Sequence, residues 1–326
     1  MDEIIKNHLT EYNESIKENT IKKYVRNIVN LKNYLNYDNN DLNYLNNYDE
    51  ILEILDHKNY STQTKNSYIC SCLQTCKAFK FDNKLINKYT QKIKEYNNQI
   101  KAKYEKQEKS EKQEKNWVSW EVLTKFYRKY RNRVRRLRLT KIKDLSYKNF
   151  IKLQNMVILS CYFSSIDNPP RRNIYASLLI KKLDKKNNYF EPNTNYLLIK
   201  NSRIKYFLFQ NYKTSKNYGS VKIRINPELN NDINLYLRHN KSKFFLPAKT
   251  KNRPMTTEEL TKRLQQIFKI NLKKNISTQM IRQIFVSKIY ENTAKYTTLK
   301  DLSSKMGHSF LTAFTKYNKK DDESDD

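Results

Sequence analysis

Residues 306–317 read MGHSFLTAFTKY, and the glycine in this stretch decides how the carboxyl-terminal part of the chain folds. Gly307 is predicted to end one helix in a left-handed turn, and Ser309 is predicted to cap the next helix. On one uninterrupted helix, the nine residues from His308 to Tyr317 would rotate by about 900°, which puts the two side chains on opposite faces. With a break at Gly307, we expect His308 and Tyr317 to converge on one pocket.

A second helix is predicted upstream, where residues 277–286 read STQMIRQIFV. Its apolar side chains are expected to be buried: Met280, Ile281, Ile284 and Phe285. Gln279 and Arg282 are three residues apart and share a face. Because apolar residues flank Arg282, its guanidinium is partly desolvated and needs an anion. A phosphate fits the guanidinium fork, and a carboxylate in an internal salt bridge is the alternative.

The charge of the whole chain indicates a polyanionic partner. The 326 residues include 64 Lys+Arg and 33 Asp+Glu, which gives a formal net charge of +31. Such one-sided charge repels itself unless an anion shares it, and an excess of Lys and Arg is typical of nucleic-acid binding. The chain has only 2 Gly, so neither a Walker loop nor a Rossmann fingerprint can be written. A nucleotide-driven motor and a dinucleotide enzyme are therefore disfavoured.

The sequence also disfavours membrane, secreted and metal-binding proteins. No stretch reaches the roughly 20 consecutive apolar residues of a bilayer span, and the acidic start Met1-Asp2-Glu3 lacks the apolar region of a signal peptide. The cysteines and histidines do not stand at zinc-ligand spacing. We expect reduced, structural thiols inside the cell, and no metal or other cofactor. The residues concerned are Cys70, Cys72, Cys76, Cys161, His8, His57, His239 and His308.

Apolar periodicity divides the chain into two domains. Thr20–Leu35 and Ser61–Phe81 carry apolar residues at three-to-four spacing, which predicts a small helical bundle. The charged stretch that follows has no apolar face and indicates a linker or an exposed helix. Trp117 opens a new apolar pattern. The predicted boundaries are 1–98 for the helical domain, 99–116 for the charged linker, 117–320 for the second domain and 321–326 for an acidic tail.

The second domain is predicted as helices around a small sheet. An apolar helix covers Phe150–Phe163. Three short strands are expected over Tyr196–Ile225, and the polar breaks between them favour antiparallel pairing. The fold class is therefore mainly α with a small antiparallel β-sheet. A basic cluster at residues 128–138 indicates either a solvated helix face or a surface that faces phosphate.

Taken in order, these features resemble the tyrosine recombinases, the phage-integrase family. The carboxyl-terminal signature is Arg-x-x-Phe at 282–285, Gly-His at 307–308 and then Tyr317. Upstream, Pro-Pro-Arg-Arg-Asn at 169–173 stands where the family carries its first catalytic arginine, and Lys213 at the strand turn matches its hairpin lysine. The helical amino-terminal region resembles the family's core-binding domain. The Pro-Pro-Arg-Arg variant is more similar to integrases of large eukaryotic DNA viruses and mobile elements than to bacterial ones.

The resemblance implies a reaction that needs neither metal nor ATP. Tyr317 would attack a DNA phosphodiester and form a 3′-phosphotyrosine bond while two arginines clamp the phosphate. His308 would hold another oxygen or assist proton movement, and Lys213 would protonate the leaving 5′-oxygen. The implied catalytic set is Arg172, Lys213, Arg282, His308 and Tyr317.

Two glutamines depart from the family pattern. Gln279 stands where His or Lys is usual, and Gln283 stands where His is common. Gln279 can hydrogen-bond a phosphate but carries no charge, so it is placed with Arg171 as an auxiliary phosphate-binding residue. Arg172 is preferred to Arg171 as the catalytic arginine because the family arginine follows a variable residue after the turn. The residues expected to contact DNA are Lys22, Lys23, Arg131, Arg135, Arg136 and Lys216.

The resemblance favours a site-specific recombinase or integrase that acts on double-stranded DNA, as a homo-tetramer on paired sites. The location is expected to be intracellular, on DNA, with nucleus and cytoplasm left open. Three alternatives remain. They are a type IB topoisomerase-like nicking and closing enzyme, a catalytically inactive DNA-binding relative, which Gln279 favours, and a basic RNA-binding protein without chemistry.

Overall fold

The apolar stripes of the first hundred residues form helices in the computed structural model, which describes residues 1–139, 142–165, 169–183, 189–200, 203–249, 252–292 and 296–319. The chain divides into two units, Met1–Lys106 and Gln107–Asp326. The helices of the first unit are α1 (Asp2–Tyr12), α2 (Glu18–Tyr34), α3 (Tyr48–His57), α4 (Thr62–Ala78) and α5 (Asn83–Glu105). Among the described residues, no helix has both the length and the apolar character of a membrane span.

The first unit has a core of its own, built from the predicted stripes. Ser61 caps α4 by accepting a hydrogen bond from the Thr64 N–H. The buried Asn27 of α2 donates to Ser71 Oγ on α4 at 3.0 Å, so this polar side chain is satisfied inside the core. Burial raises the pKa of the Cys76 thiol to about 12, which keeps it protonated and inert, as a structural thiol should be.

The second unit places the buried helix α8 at its centre. Its first helices are α6 (Glu111–Asn116), α7 (Trp120–Arg136) and α8 (Tyr147–Phe163). The later helices are α9 (Ser215–Tyr218), α10 (Pro227–Leu237), α11 (Thr257–Leu272), α12 (Thr278–Asn292), α13 (Tyr296–Lys305) and α14 (Phe310–Thr312). Helices α7, α10 and α11 pack on α8. The charged stretch 99–116 is mostly helical, since residues 99–105 continue α5 and residues 111–116 form α6.

A four-stranded sheet in the order β1-β2-β3-β4 covers one side of this core. The strands are β1 (Leu179–Leu183), β2 (Tyr196–Lys200), β3 (Arg203–Phe209) and β4 (Val221–Arg224). The three predicted strands are present, and the pairs β2–β3 and β3–β4 are antiparallel. The sheet is nevertheless mixed, because β1 pairs with β2 in parallel. Two consecutive lysines in β1 interrupt its apolar alternation, so the sequence did not reveal this edge strand.

A buried carboxylate joins three helices of the second unit and changes the interpretation of the basic cluster. Asp232 on α10 is fully buried. Arg131 Nε donates to both of its oxygens at 2.8 and 3.0 Å, Arg135 Nη2 donates at 3.0 Å, and the Ser160 hydroxyl donates at 2.7 Å. Of the two arginines expected to contact DNA, Arg131 is therefore largely buried against this carboxylate, whereas Arg135 makes one bond to it and keeps a side chain that is 40% exposed. The sequence could not show this, because Asp232 lies about a hundred residues away along the chain.

Candidate active site

Tyr317 lies at the end of a wide helical turn that follows the Gly307 break. Gly307 has a φ of +75°, and the Ser309 side chain caps α14, as predicted. Residues 313–317 then form a π-helical turn, and Tyr317 is 3% exposed. The rings of His308 and Tyr317 stack with centroids 4.8 Å apart. The break at Gly307 thus brings the two side chains together across nine residues.

Two guanidinium groups from distant segments meet at the phenol of Tyr317. Arg282 on α12 donates through Nη2 to the phenol oxygen at 3.2 Å, and Arg172 donates through Nη2 at 3.4 Å. The Arg282 guanidinium also lies over the phenol ring, 4.8 Å from its centroid. The two hydrogen bonds converge on one oxygen atom, which is where negative charge appears when a tyrosine ionises.

Arg282 is a buried cation, and none of its contacts with described residues is to a carboxylate. It is fully buried, and its Nη1 donates to the carbonyl oxygens of Pro170 and Met306 at 3.3 Å each. Its Nε has no hydrogen-bond partner within the described part of the chain. Burial, together with the nearby Arg172 charge, lowers the pKa of Arg282 to about 10, so it stays protonated at neutral pH. A buried cation with an open donor is prepared to receive an anion.

The electrostatics of the site favour the ionised form of Tyr317. Burial alone raises the pKa of this phenol. The charges of Arg282 and Arg172 and the hydrogen bonds from Arg282 and Gln279 outweigh burial, so the pKa lies below its ordinary value. A phenol of this kind loses its proton more readily as it attacks an electrophile.

His308 is held as a neutral imidazole. It is 4% exposed, and its Nδ1 lies 3.3 Å from the carbonyl oxygen of Ser309. Burial and the Arg282 charge lower its pKa to about 3. Its Nε2 is buried and has no hydrogen-bond partner among the described residues. The site therefore holds two open polar atoms, His308 Nε2 and Arg282 Nε, beside the phenol.

Of the two neighbouring arginines, the structure brings Arg172 to the phenol. Arg171 is 2% exposed, and its guanidinium lies over the ring of Phe209 at 5.3 Å. No hydrogen bond between described residues joins it to Tyr317. Asn173 fixes the backbone at this point, because its side chain accepts from Tyr162 at 3.0 Å and donates to the Thr257 carbonyl at 2.8 Å. Sequence reasoning missed this anchor, which only its place after the two arginines could have indicated.

Lys213 stands at the tip of the hairpin between β3 and β4, and the hairpin reaches the Gly307 turn. The Thr214 hydroxyl donates to the Gly307 carbonyl at 2.9 Å, and the Tyr212 ring lies against Gly307. Lys213 itself is exposed, and no hydrogen bond or ion pair among the described residues engages its ammonium group. Thr214 holds the hairpin beside the site, a contact that the sequence did not predict.

The remaining predicted residues are exposed. Gln279 lies on α12, and its amide helps to lower the pKa of the Tyr317 phenol. Lys23, Arg136 and Lys216 are exposed to solvent, and Lys22 pairs with Glu18 at 2.7 Å. Among the described residues, no group of three or more His, Cys, Asp or Glu side chains is placed to hold a metal ion.

No protein-family model and no curated protein matches this sequence. Among solved structures, the chain is similar to the crystal structure of XerA recombinase, with 12% sequence identity and a TM-score of 0.38 over 97% of this chain and 94% of that chain. At this sequence identity and TM-score, the similarity does not establish the family of this protein or the reaction that it catalyses. The case for a function therefore depends on the side chains that meet at Tyr317.

Proposed function

We propose that this protein cleaves and rejoins double-stranded DNA through a 3′-phosphotyrosine intermediate on Tyr317, as a site-specific recombinase does. One observation carries the proposal: the Tyr317 phenol accepts hydrogen bonds from two guanidinium groups, Arg172 and Arg282, that lie 110 residues apart in the chain. A packing tyrosine requires no such pair of cations. A nucleophile that attacks a phosphodiester requires both the ionised phenol and neutralisation of the phosphate.

In the proposed reaction, the Tyr317 oxygen attacks phosphorus as the phenol releases its proton to solvent water. The non-bridging oxygens gain negative charge in the transition state, and Arg172 and Arg282 stabilise them. The P–O5′ bond then breaks, and Lys213 gives its proton to the leaving 5′-oxygen. The exposed Lys213 on a hairpin tip fits this role, because its ammonium is free to move onto DNA. Attack by a 5′-hydroxyl on the phosphotyrosine reverses the sequence.

His308 changes its role when a phosphate enters. Burial and the Arg282 charge keep it neutral in the free protein. The negative charge of a phosphodiester offsets that of Arg282 and raises the pKa of His308, which favours a protonated Nε2 that donates to a phosphate oxygen. The imidazole thus stabilises the bound phosphate without adding a third cation to the empty site.

Double-stranded DNA is the proposed partner because of the net charge of +31 and the exposed cations Lys23, Arg136 and Lys216. Arg131 is left out of the set of residues proposed to contact phosphate, since Asp232 binds its largely buried side chain. Arg135 stays in the set, because its side chain is 40% exposed. Assembly as a homo-tetramer on paired sites, and the division into core-binding and catalytic domains, stay proposals that derive from the resemblance of the sequence motifs.

The proposal is tested with a nicked duplex in which cleavage releases a short fragment that bears the new 5′-hydroxyl, so that the covalent adduct accumulates. The expected result is a protein–DNA adduct that peptide mass spectrometry locates on Tyr317. The adduct should vanish in Tyr317→Phe. It should persist in Tyr218→Phe, which removes an exposed phenol beside the hairpin and serves as the matched control.

Three outcomes separate the alternatives. Strand exchange between two duplexes supports a recombinase, whereas relaxation of supercoiled plasmid without paired sites supports a topoisomerase-like enzyme. If neither the parent nor any variant forms an adduct on any DNA tested, the proposed chemistry is wrong, and binding to duplex DNA or to RNA decides between the two alternatives that lack chemistry.

A further inference from the structure

The charged segment that follows the first unit contacts the turn that carries Tyr317. Gln107 Nε2 donates to the Phe314 carbonyl at 2.9 Å, and Lys319 Nζ donates to the Glu108 carbonyl at 2.8 Å. Gln107 is buried and adopts a φ of +57°, so this contact is maintained in a left-handed backbone conformation that glutamine rarely adopts. These bonds lie inside the unit Gln107–Asp326 and join its first residues to its last described ones.

The π-helical turn explains why these contacts are needed. It closes with a hydrogen bond from the Asn318 N–H to the Ala313 carbonyl at 3.0 Å. The last carbonyls of a helix have no donors within the helix and need partners from elsewhere. Gln107 supplies one for Phe314, and the Gln283 Nε2 lies 3.5 Å from the carbonyl oxygen of Lys316, the residue before the tyrosine.

Two glutamine amides form an oriented chain to this last carbonyl. In the capping box of α6, Gln113 Oε1 accepts from the Ser110 N–H at 2.9 Å and from its hydroxyl at 3.0 Å. That leaves Gln113 Nε2 to donate to Gln283 Oε1 at 2.9 Å. Gln283 must then present its own Nε2 to the Lys316 carbonyl. Each amide fixes the direction of the next, because one end of an amide only accepts and the other only donates.

We propose that Gln113 and Gln283 are positioning residues that hold Tyr317 between its two arginines. The inference rests on the proposed function of Tyr317 as nucleophile, and neither glutamine touches the reacting atoms. Gln283 is one of the two departures from the family pattern. Its amide fits this chain of bonds because it accepts at one end and donates at the other, and the capping box on α6 sets its direction.

The substitution Gln113→Glu reverses the chain of bonds while preserving the helix cap. A glutamate at this position of a capping box still accepts from the Ser110 N–H. Its carboxylate accepts only, so Gln283 must turn its Nε2 toward position 113 and its Oε1 toward the Lys316 carbonyl. Two acceptors then face each other. We expect covalent adduct formation at saturating DNA to slow by roughly 10-fold, with little change in DNA affinity.

A second substitution should restore the bonds. In the Gln113→Glu background, Gln283→Lys offers a side chain that only donates, and so reaches both the introduced carboxylate and the Lys316 carbonyl. Adduct formation is expected to recover to within about 3-fold of the parent. Lys112→Gln is the matched control, because it changes the net charge by the same amount on the same helix at an exposed position. It should leave the rate unchanged.

Two further readouts separate positioning from a general loss of structure. A displaced phenol loses part of the guanidinium field, so the pH midpoint of adduct formation in Gln113→Glu moves upward, whereas mere unfolding lowers the amplitude and leaves the midpoint in place. Amide hydrogen exchange of residues 313–319, measured without DNA, should rise roughly 5-fold while that of the buried helix α8 stays at the parental rate.

Unchanged exchange in Gln113→Glu, or a parental rate and pH midpoint, would overturn the inference. The exchange measurement stands even if the parent forms no adduct. Failure of the proposed chemistry and failure of the positioning role therefore give different results.

Discussion

Replacing Arg282 by methionine tests whether the buried guanidinium serves chemistry or packing. The two roles predict different effects on stability. Methionine fills a similar volume without charge, so a catalytic cation can be removed at little cost to the fold, whereas a structural one cannot. We expect Arg282→Met to slow adduct formation by at least about 100-fold while the second unit keeps its stability to within about 1 kcal/mol.

The magnitude follows from the surroundings of Arg282. Burial, then the Arg172 charge, lower its pKa from 12.5 to about 10. A fall of that size corresponds to roughly 3 kcal/mol of free energy opposing folding, present in full below pH 10 because the folded-state pKa is the lower one. Methionine loses three hydrogen bonds, two to the carbonyls of Pro170 and Met306 at 3.3 Å each and one to the Tyr317 phenol at 3.2 Å, and each contributes about 1 kcal/mol. The two sums nearly cancel, so the expected change in stability is at most about 1 kcal/mol, or about 2–4 °C in melting temperature.

The assay combines denaturant unfolding with single-turnover adduct formation. Loss of one charge-stabilising group should slow adduct formation by at least about 100-fold. The matched control is Arg131→Met, at an arginine that does have a carboxylate partner, Asp232. That variant should lose about 3 kcal/mol, because it leaves a buried carboxylate short of a donor. The reasoning is refuted if Arg282→Met is destabilised as strongly as Arg131→Met, or if its adduct forms within 10-fold of the parental rate.

Three other predictions concern the leaving group, the phenol and the DNA. The Lys213→Ala variant should cleave ordinary DNA much more slowly than the parent but cleave a 5′-bridging phosphorothiolate nearly as fast. An equal loss of cleavage rate on both substrates would assign Lys213 to binding. The rate of adduct formation should rise with pH, with a midpoint below the ordinary tyrosine pKa of about 10. Arg172→Ala should move this midpoint upward, since the Arg172 charge favours the ionised Tyr317, and an unmoved midpoint would contradict this expectation. Raising salt from ~50 to ~200 mM should weaken duplex binding on the order of 1000-fold in an anisotropy titration, and a flat response would contradict a phosphate-contacting surface.

Local features of the sequence were enough to predict the main elements near the site. Gly307 and Ser309 determine the helix break through the left-handed turn and the cap, and the apolar pattern around Arg282 predicts the burial of α12. Periodicity likewise found the strands β2, β3 and β4, because each carries its own apolar run. These features depend on neighbours along the chain, which is the information that a single sequence holds.

The features that the sequence missed depend on distant partners. Strand β1 pairs with β2 in parallel and carries two lysines. The residues of β1 alone therefore predict neither its partner strand nor its register. The cluster at residues 128–138 is basic along the sequence, and the carboxylate that pairs with its Arg131, Asp232, comes from a distant helix. The direction of the Gln283 amide is set by Gln113, which lies 170 residues earlier in the chain. This hydrogen bond cannot be predicted from the sequence around either glutamine.

The wide turn at residues 313–317 has a consequence for insertions and deletions. It encloses one residue more than an α-helical turn, and each residue added or removed rotates the rest of the helix by about 100°. The direction of the Tyr317 phenol relative to the His308 imidazole therefore changes in steps of about 100°, one step for each residue inserted or deleted. An exposed residue of the interval, such as Leu311 at 67% exposure, tolerates a different side chain. The number of residues between His308 and Tyr317 must stay the same, because one residue fewer would point the Tyr317 hydroxyl away from Arg172 and Arg282.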